Sequence, residues 1–255
     1  MSFLLFEEIV FGPVLSRRLG VSLGINLLPT NYKLCNFNCI YCECGWTYKN
    51  KIKNFKFPSV EKVKIALEKK LSEMVNNNSK LDSITFAGNG EPSLHPDFEE
   101  IVDNVIKIKN KYFEKSKISV LSNASMLHKH SVVSALKKVD NNILKLDGAF
   151  EKTICKINKP FYNFNLKKLL KQFKSFEGNL IIQTLFLKGF HKNEEIDNTK
   201  DEEIEEWLNL LKIIKPKKVM IYTIARNTPE INLEKIDDEK IKEIYKKLQK
   251  CGFNF

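Results

Sequence analysis

Three cysteines in the run Cys35-Asn36-Phe37-Asn38-Cys39-Ile40-Tyr41-Cys42, spaced C-x3-C-x2-C, are the residues of this 255-residue sequence best suited to chemistry. Thiolates bind iron, and clusters of four irons that only transfer electrons are closed by four cysteines. Three thiolates therefore leave one iron with a coordination position that a substrate or cofactor must fill. Structural zinc is the competing reading, but zinc wants four ligands in two close pairs, and the second pair is missing. Cys44 could complete a crowded knot, while Cys155 and Cys251 stand alone.

The elements that must position this loop follow from hydrophobic periodicity. Ser59 can cap a helix running to about Asn76, with Val60, Val63, Ala66, Leu67 and Leu71 on one face. A strand is expected at Ser83 to Ala87, then a helix that accepts Pro96 in its first turn and continues through Phe98, Ile101, Val102, Val105 and Ile106. Strands at Ile118 to Leu121 and Ile143 to Leu146 bracket a shorter helix over Leu127 to Val139, with Ser131 as its cap. Asn165 to Phe176 reads as a helix and Leu180 to Leu187 as a buried strand. Asp201 to Ile214 is a helix with acids in its first turn, Lys218 to Thr223 a strand, and Asp237 to Cys251 the last helix. With a first strand near Val21 to Leu28 the count is six β/α repeats, which require a parallel sheet flanked by helices. Barrel and doubly wound folds both satisfy that pattern, although six units are too few for the complete eight-unit barrel.

In such folds the site lies where the loops leave the carboxyl ends of the strands. The second expected strand runs into Gly88-Asn89-Gly90-Glu91-Pro92, in which glycine keeps backbone polar groups accessible beside the Glu91 carboxylate. The third ends in Ser122-Asn123, the fourth in Lys145-Leu146-Asp147, and the fifth contains Gln183.

The cysteine loop, with Tyr41 directly before its last cysteine, resembles that of the radical S-adenosylmethionine superfamily. Gly88-Asn89-Gly90-Glu91-Pro92 resembles the G-G-E-P motif of the same superfamily, with Asn89 in place of the second glycine. Phe11-Gly12-Pro13, Ile157-Asn158-Lys159-Pro160, Ile182-Gln183-Thr184 and Ile221-Tyr222-Thr223 extend the likeness to a group of small radical enzymes related to tRNA wyosine synthetase. The resemblance implies an α/β chain folded as a partial (βα)6 TIM-type barrel. It implies a [4Fe-4S] cluster on Cys35, Cys39 and Cys42, with S-adenosylmethionine on the open iron. Tyr41, Gly88, Asn89, Gly90 and Glu91 would then contact the cofactor, and Ser122 and Asn123 its ribose or carboxylate. Asp147 and Gln183 would line the central cavity. The implied reaction is reductive cleavage to a 5′-deoxyadenosyl radical that takes hydrogen from a substrate. An external one-electron donor of flavodoxin or ferredoxin type is then required. The wyosine enzyme carries a second cluster on cysteines upstream of the first, and no cysteine precedes Cys35 here. The substrate is accordingly read as a small molecule or peptide, with tRNA as the alternative.

Composition bounds these readings. No repeat and no Gly/Ser/Pro-rich linker interrupts the chain, so one domain over 1–255 is expected: a segment with the first strand (1–30), the cysteine loop (31–50) and the remaining βα units (51–255). The acidic Glu7-Glu8 near the start suits neither a signal peptide nor an anchor, and no apolar run is long enough to span a bilayer. A cytoplasmic enzyme with metal-bound or buried thiols follows, without membrane contact. The net charge of +11 invites a metal-stabilised nucleic-acid-binding protein without catalysis as a further alternative. Against it, the basic charge is mostly lysine spread along amphipathic helices, which suits a solvated surface better. Arginine occurs only at Arg17, Arg18 and Arg226, and the Arg17-Arg18 pair is a candidate anchor for an anionic substrate group.

Overall fold

The computed structural model describes residues 3–48 and 55–255; Met1, Ser2 and residues 49–54, which include the end of the expected 31–50 loop, lie outside the described residues. Its contacts divide the chain into two compact units. One comprises Leu5–Cys35 and Thr47–Asn142. The other comprises the start of the chain to Leu4, Asn36–Trp46 and Ile143–Phe255.

The first unit is built on β1 (Val10–Ser16), β2 (Gly20–Ile25), β3 (Ser83–Phe86) and β4 (Lys117–Ser122). β2, β3 and β4 run parallel, and β1 returns antiparallel on β2 with a register shift between Phe11 and Val14. That hairpin was not among the expected elements; Pro13 is tolerated on an edge strand at an irregularity. α1 (Val60–Asn76) starts where Ser59 accepts the Lys62 amide at 3.3 Å, a cap worth about 1 kcal/mol. Val63, Leu67, Leu71 and Met74 form its buried stripe. Each such side chain contributes about 1.5–3 kcal/mol by leaving water. α2 (Phe98–Tyr112) begins after Pro96 rather than around it, since Pro92–Leu94 forms a separate 3-10 turn first. α3 (His130–Lys138) starts one residue before Ser131, with no side-chain cap. The face of the strands away from the helices carries a row of joined hydroxyls: Ser22 to Thr85 at 2.7 Å, Ser83 to Ser119 at 2.8 Å, and the Asn141 amide onto Ser119 at 3.0 Å. These pairings satisfy polar groups that would otherwise cost about 1–3 kcal/mol each.

The second unit is organised by β6 (Ile181–His191). Its first half lies parallel between β5 (Asn141–Lys145), paired through Ile143–Lys145, and β8 (Lys218–Thr223). Its second half leaves the parallel sheet and pairs antiparallel with β7 (Glu194–Asp197) and β9 (Leu233–Lys235). Those two strands and α4 (Glu151–Asn158) are absent from the periodicity reading, being too short to show a period. α5 (Leu166–Lys174) and α7 (Asp238–Lys250) are capped by Asn165 and Asp237, and α6 spans Asp201–Ile214. Trp207 of α6 is buried against Phe186 and donates to Thr184 at 3.1 Å. All six expected strands are present, with shifted ends: β2, β3 and β4 in one unit, β5, β6 and β8 in the other. Among the described residues no helix is long and apolar enough to cross a membrane.

Candidate active site

In the first unit the segment leading to Cys35 is stitched to the loop after β3. The Leu34 amide donates to Asn89 O at 2.8 Å and the Glu91 amide to Leu34 O at 3.2 Å. Gly90 has φ +141°, and a Cβ there would be driven into the Leu34 carbonyl, so the approach demands glycine. Gly88 likewise faces the Asn26 side chain, whose Oδ1 accepts from the Asn89 amide at 3.1 Å. The Asn89 side chain is committed to the fold: it donates to the carbonyls of Phe6 and Pro29 and accepts from the Phe6 amide. Any contact from Asn89 to a ligand must come from its main chain.

Glu91 is 2% exposed and accepts from four donors: the Ser93 amide and hydroxyl, the Ser122 hydroxyl at 2.8 Å and the Asn123 amide at 2.6 Å. Burial raises its pKa despite those donors. The carboxylate thus ties the end of β4 to the Gly88–Pro92 loop. Asn123, held by that tie, donates its side-chain amide to Cys35 Sγ at 3.5 Å.

In the second unit the loop carrying Cys39 and Cys42 runs along the end of α4. The Asn38 amide donates to Asn158 O at 3.0 Å, and the Ile40 amide to Ile157 O at 3.0 Å. This register sets Asn158 against the loop, where its amide donates to Cys39 Sγ at 3.4 Å and to Asp147 Oδ2 at 2.7 Å. Tyr41 OH donates to the same Asp147 oxygen, while Asp147 Oδ1 accepts the Leu185 amide at 2.9 Å. Lys145 lies 3.6 Å from Asp147, donates to Tyr222 OH at 2.6 Å and sits over the Tyr41 ring. Burial by itself would lower the Lys145 pKa, but the charges of Asp147, Tyr222 and Cys39 outweigh it and hold the ammonium protonated. Burial, and then the Asp147 charge, raises the Tyr41 phenol well above its ordinary range. Gln183, 5% exposed, shares a strand register with Lys145 and Met220 and so faces the same side of the sheet.

Two expected residues fall elsewhere. Arg17 and Arg18 occupy the exposed turn between β1 and β2, at the amino end of β2. The Gly88–Glu91 loop lies at the carboxyl end of the neighbouring strand, so the hairpin carries the arginines to the opposite edge of their unit. Periodicity missed the role of Asn158, although the Ile157-Asn158-Lys159-Pro160 string is conspicuous in the sequence. It also missed a chain in which Lys159 Nζ meets His191 Nε2 at 2.7 Å and His191 Nδ1 meets Glu230 at 2.6 Å. Lys159 ends α4 in the left-handed region, φ 45°, and burial together with Lys192 lowers its pKa. Lys159 stands in that conspicuous string and, with Lys145, is a candidate imine-forming lysine by sequence, but its separation from His191 and Glu230 hides the contact.

The donor set fits an iron–sulfur cluster. All six cysteines are thiols, Cys35 and Cys39 are buried, and a buried asparagine amide donates to each of those two sulfurs, an environment that suits a charged sulfur. Among the described residues no three His, Cys, Asp or Glu side chains are gathered as ligands of a single metal ion. Cluster thiolates each take a different iron, so their ligand set is more spread than that of one ion.

Comparison with known proteins agrees. The chain is 31% identical over 93% of its length to a protein of Brachyspira hyodysenteriae named GTPase Obg, of which the match covers 33%. It is 35% identical over 75% of its length to a UPF0026 protein of Helicobacter pylori, of which the match covers 60%. The chain thus spans from a third to under two thirds of those relatives. Among solved structures, a radical SAM methyltransferase from Sphaerobacter thermophilus is similar with a TM-score of 0.68 at 12% identity, covering 91% of this chain and 64% of that one. TYW1 with a lysine-pyruvate adduct bound is similar with a TM-score of 0.58 at 15% identity, covering 90% and 73%. These likenesses show the fold, the α/β partial (βα)-barrel class. Since the sequence profile described as the Radical SAM superfamily matches residues 32–197, more than half of the chain, this protein belongs to the Radical SAM superfamily, whose enzymes use a [4Fe-4S] cluster and S-adenosylmethionine.

Proposed function

We propose that Cys35, Cys39 and Cys42 hold the cluster through three irons, leave the fourth to S-adenosylmethionine, and so make this chain abstract hydrogen from a substrate. The observation that carries the reading is the pair of buried asparagine amides aimed at Cys35 and Cys39 sulfur. When bound, the cluster and S-adenosylmethionine supply a hydrogen-abstracting radical by reductive cleavage of the sulfonium. The residues of the chain do the rest. Glu91 holds Ser122 and Asn123 where a ribose or carboxylate can reach them, and Gly88 and Gly90 keep the adjoining backbone uncovered. Asp147 pairs with Lys145 and accepts from Tyr41, which fixes all three side chains. Gln183 lines the same face. The electron comes from a flavodoxin- or ferredoxin-type donor in the cytoplasm, and the substrate is a small molecule or peptide. Protein reconstituted anaerobically with iron and sulfide, then reduced by dithionite, is expected to release 5′-deoxyadenosine from S-adenosylmethionine. A fully loaded protein that releases none overturns the proposal.

A second reading concerns the substrate and is favoured by Lys159. TYW1 has been seen with a lysine-pyruvate adduct. Imine formation needs a neutral amine, and Lys145 is held charged by Asp147 whereas Lys159 is pushed toward the neutral form beside His191. With pyruvate and cyanoborohydride, peptide mapping is expected to find the trapped adduct on Lys159. Labelling spread evenly over the surface lysines counts against it.

A further inference from the structure

Asn158 makes contacts that holding the helix end does not require. It is 2% exposed and is the last residue of α4, and its backbone carbonyl is fixed by the Asn38 amide at 3.0 Å. Its side-chain nitrogen lies 3.4 Å from Cys39 Sγ, 2.7 Å from Asp147 Oδ2 and 3.2 Å from Tyr41 OH. One amide group therefore stands between a sulfur and a carboxylate, both of them anionic once the thiol is a metal ligand.

We propose that Asn158 is the positioning residue that sets how readily the cluster accepts its electron. This rests on Cys39 being a cluster ligand. Hydrogen bonds to ligand sulfur draw charge from it and favour the reduced form, and the residues around the ligands tune a metal centre in this way. The second amide hydrogen occupies the Asp147 oxygen, so the carboxylate charge does not face Cys39 bare. Without Asn158 both effects act in one direction. The sulfur loses a donor, the carboxylate keeps Tyr41 and Lys145 but loses the amide that stands between it and the sulfur, and an added electron meets more negative charge. Asn123 makes the corresponding side-chain contact to Cys35 at 3.5 Å.

The test compares wild type, Asn158→Leu and Asn158→Asp after anaerobic reconstitution. Iron content, thermal unfolding and an EPR-monitored redox titration are measured for each. Asn158→Asp keeps the size of the side chain but sets a second acid beside Asp147, where it takes up a proton and can still donate, so Asn158→Leu is the variant that removes the donor. The expected result is wild-type iron content with a midpoint shifted to more negative potential in Asn158→Leu, and a smaller shift in Asn158→Asp, with slower reduction by dithionite. Variants that carry a full cluster at the wild-type potential overturn the inference. Failure of wild type itself to build a cluster overturns the cysteine assignment instead, so the two failures are distinguishable.

Discussion

Replacing Cys39 by alanine is expected to remove the cluster and with it every trace of 5′-deoxyadenosine formation above the protein-free background. Cys39 is buried, 8% exposed, and its sulfur is met by the Asn158 amide. With two thiolates left, the iron–sulfur unit has two open irons, and metal binding whose ligands are incomplete is lost in the same step as activity. Cys251→Ala, at the end of α7, is expected to keep wild-type iron and turnover. Iron and sulfide analysis with the visible absorption of the reconstituted proteins decides the matter. A Cys39→Ala protein with full iron content would sink the assignment, whatever its activity.

The largest effect on stability is expected from Asp147→Ala. The carboxylate is buried, and it compensates Lys145, accepts from Tyr41 and Asn158, and closes the Leu185 amide. Removing one member of a buried ion pair leaves the other charge uncompensated, which costs about 3–5 kcal/mol. For a chain of this size each kcal/mol lowers Tm by about 2–4 °C, so a fall of roughly 6–20 °C is expected. The double variant Lys145→Met, Asp147→Leu should regain only the part of that loss due to the uncompensated Lys145 charge, because the Tyr41, Asn158 and Leu185 donors stay without their acceptor in both variants. Urea denaturation of the metal-free protein measures both. A loss below about 1 kcal/mol in Asp147→Ala would mean that water reaches Lys145 and that the pair is not structural.

Elements long enough to show a period were legible in the sequence. α1, α6 and β8 lie where their apolar spacing and caps put them, because a buried stripe repeats every turn or every second residue whatever it packs against. The two-turn α4, the three-residue β9 and the β1 strand interrupted by Gly12-Pro13 were not legible, since each exists only through the partner that pairs with it. Arg17 and Arg18, singled out by their rarity, lie in the hairpin at the amino end of β2, at the opposite end of the strands from Gly88 to Glu91.

What the sequence determined by itself was the family and the candidate ligand set. A short loop brings Cys35, Cys39 and Cys42 within reach of one cluster because chain connectivity alone limits how far they can separate. Tertiary structure decided everything that conditions those ligands. Asn158 meets Cys39 across more than a hundred residues because the end of α4 pairs backbone to backbone with the loop, and Glu91 meets Ser122 and Asn123 because β3 and β4 are neighbours. Such contacts have no signature along the chain. They depend on the packing of whole elements, whose energy is spread over many apolar side chains rather than written at the residues that finally touch.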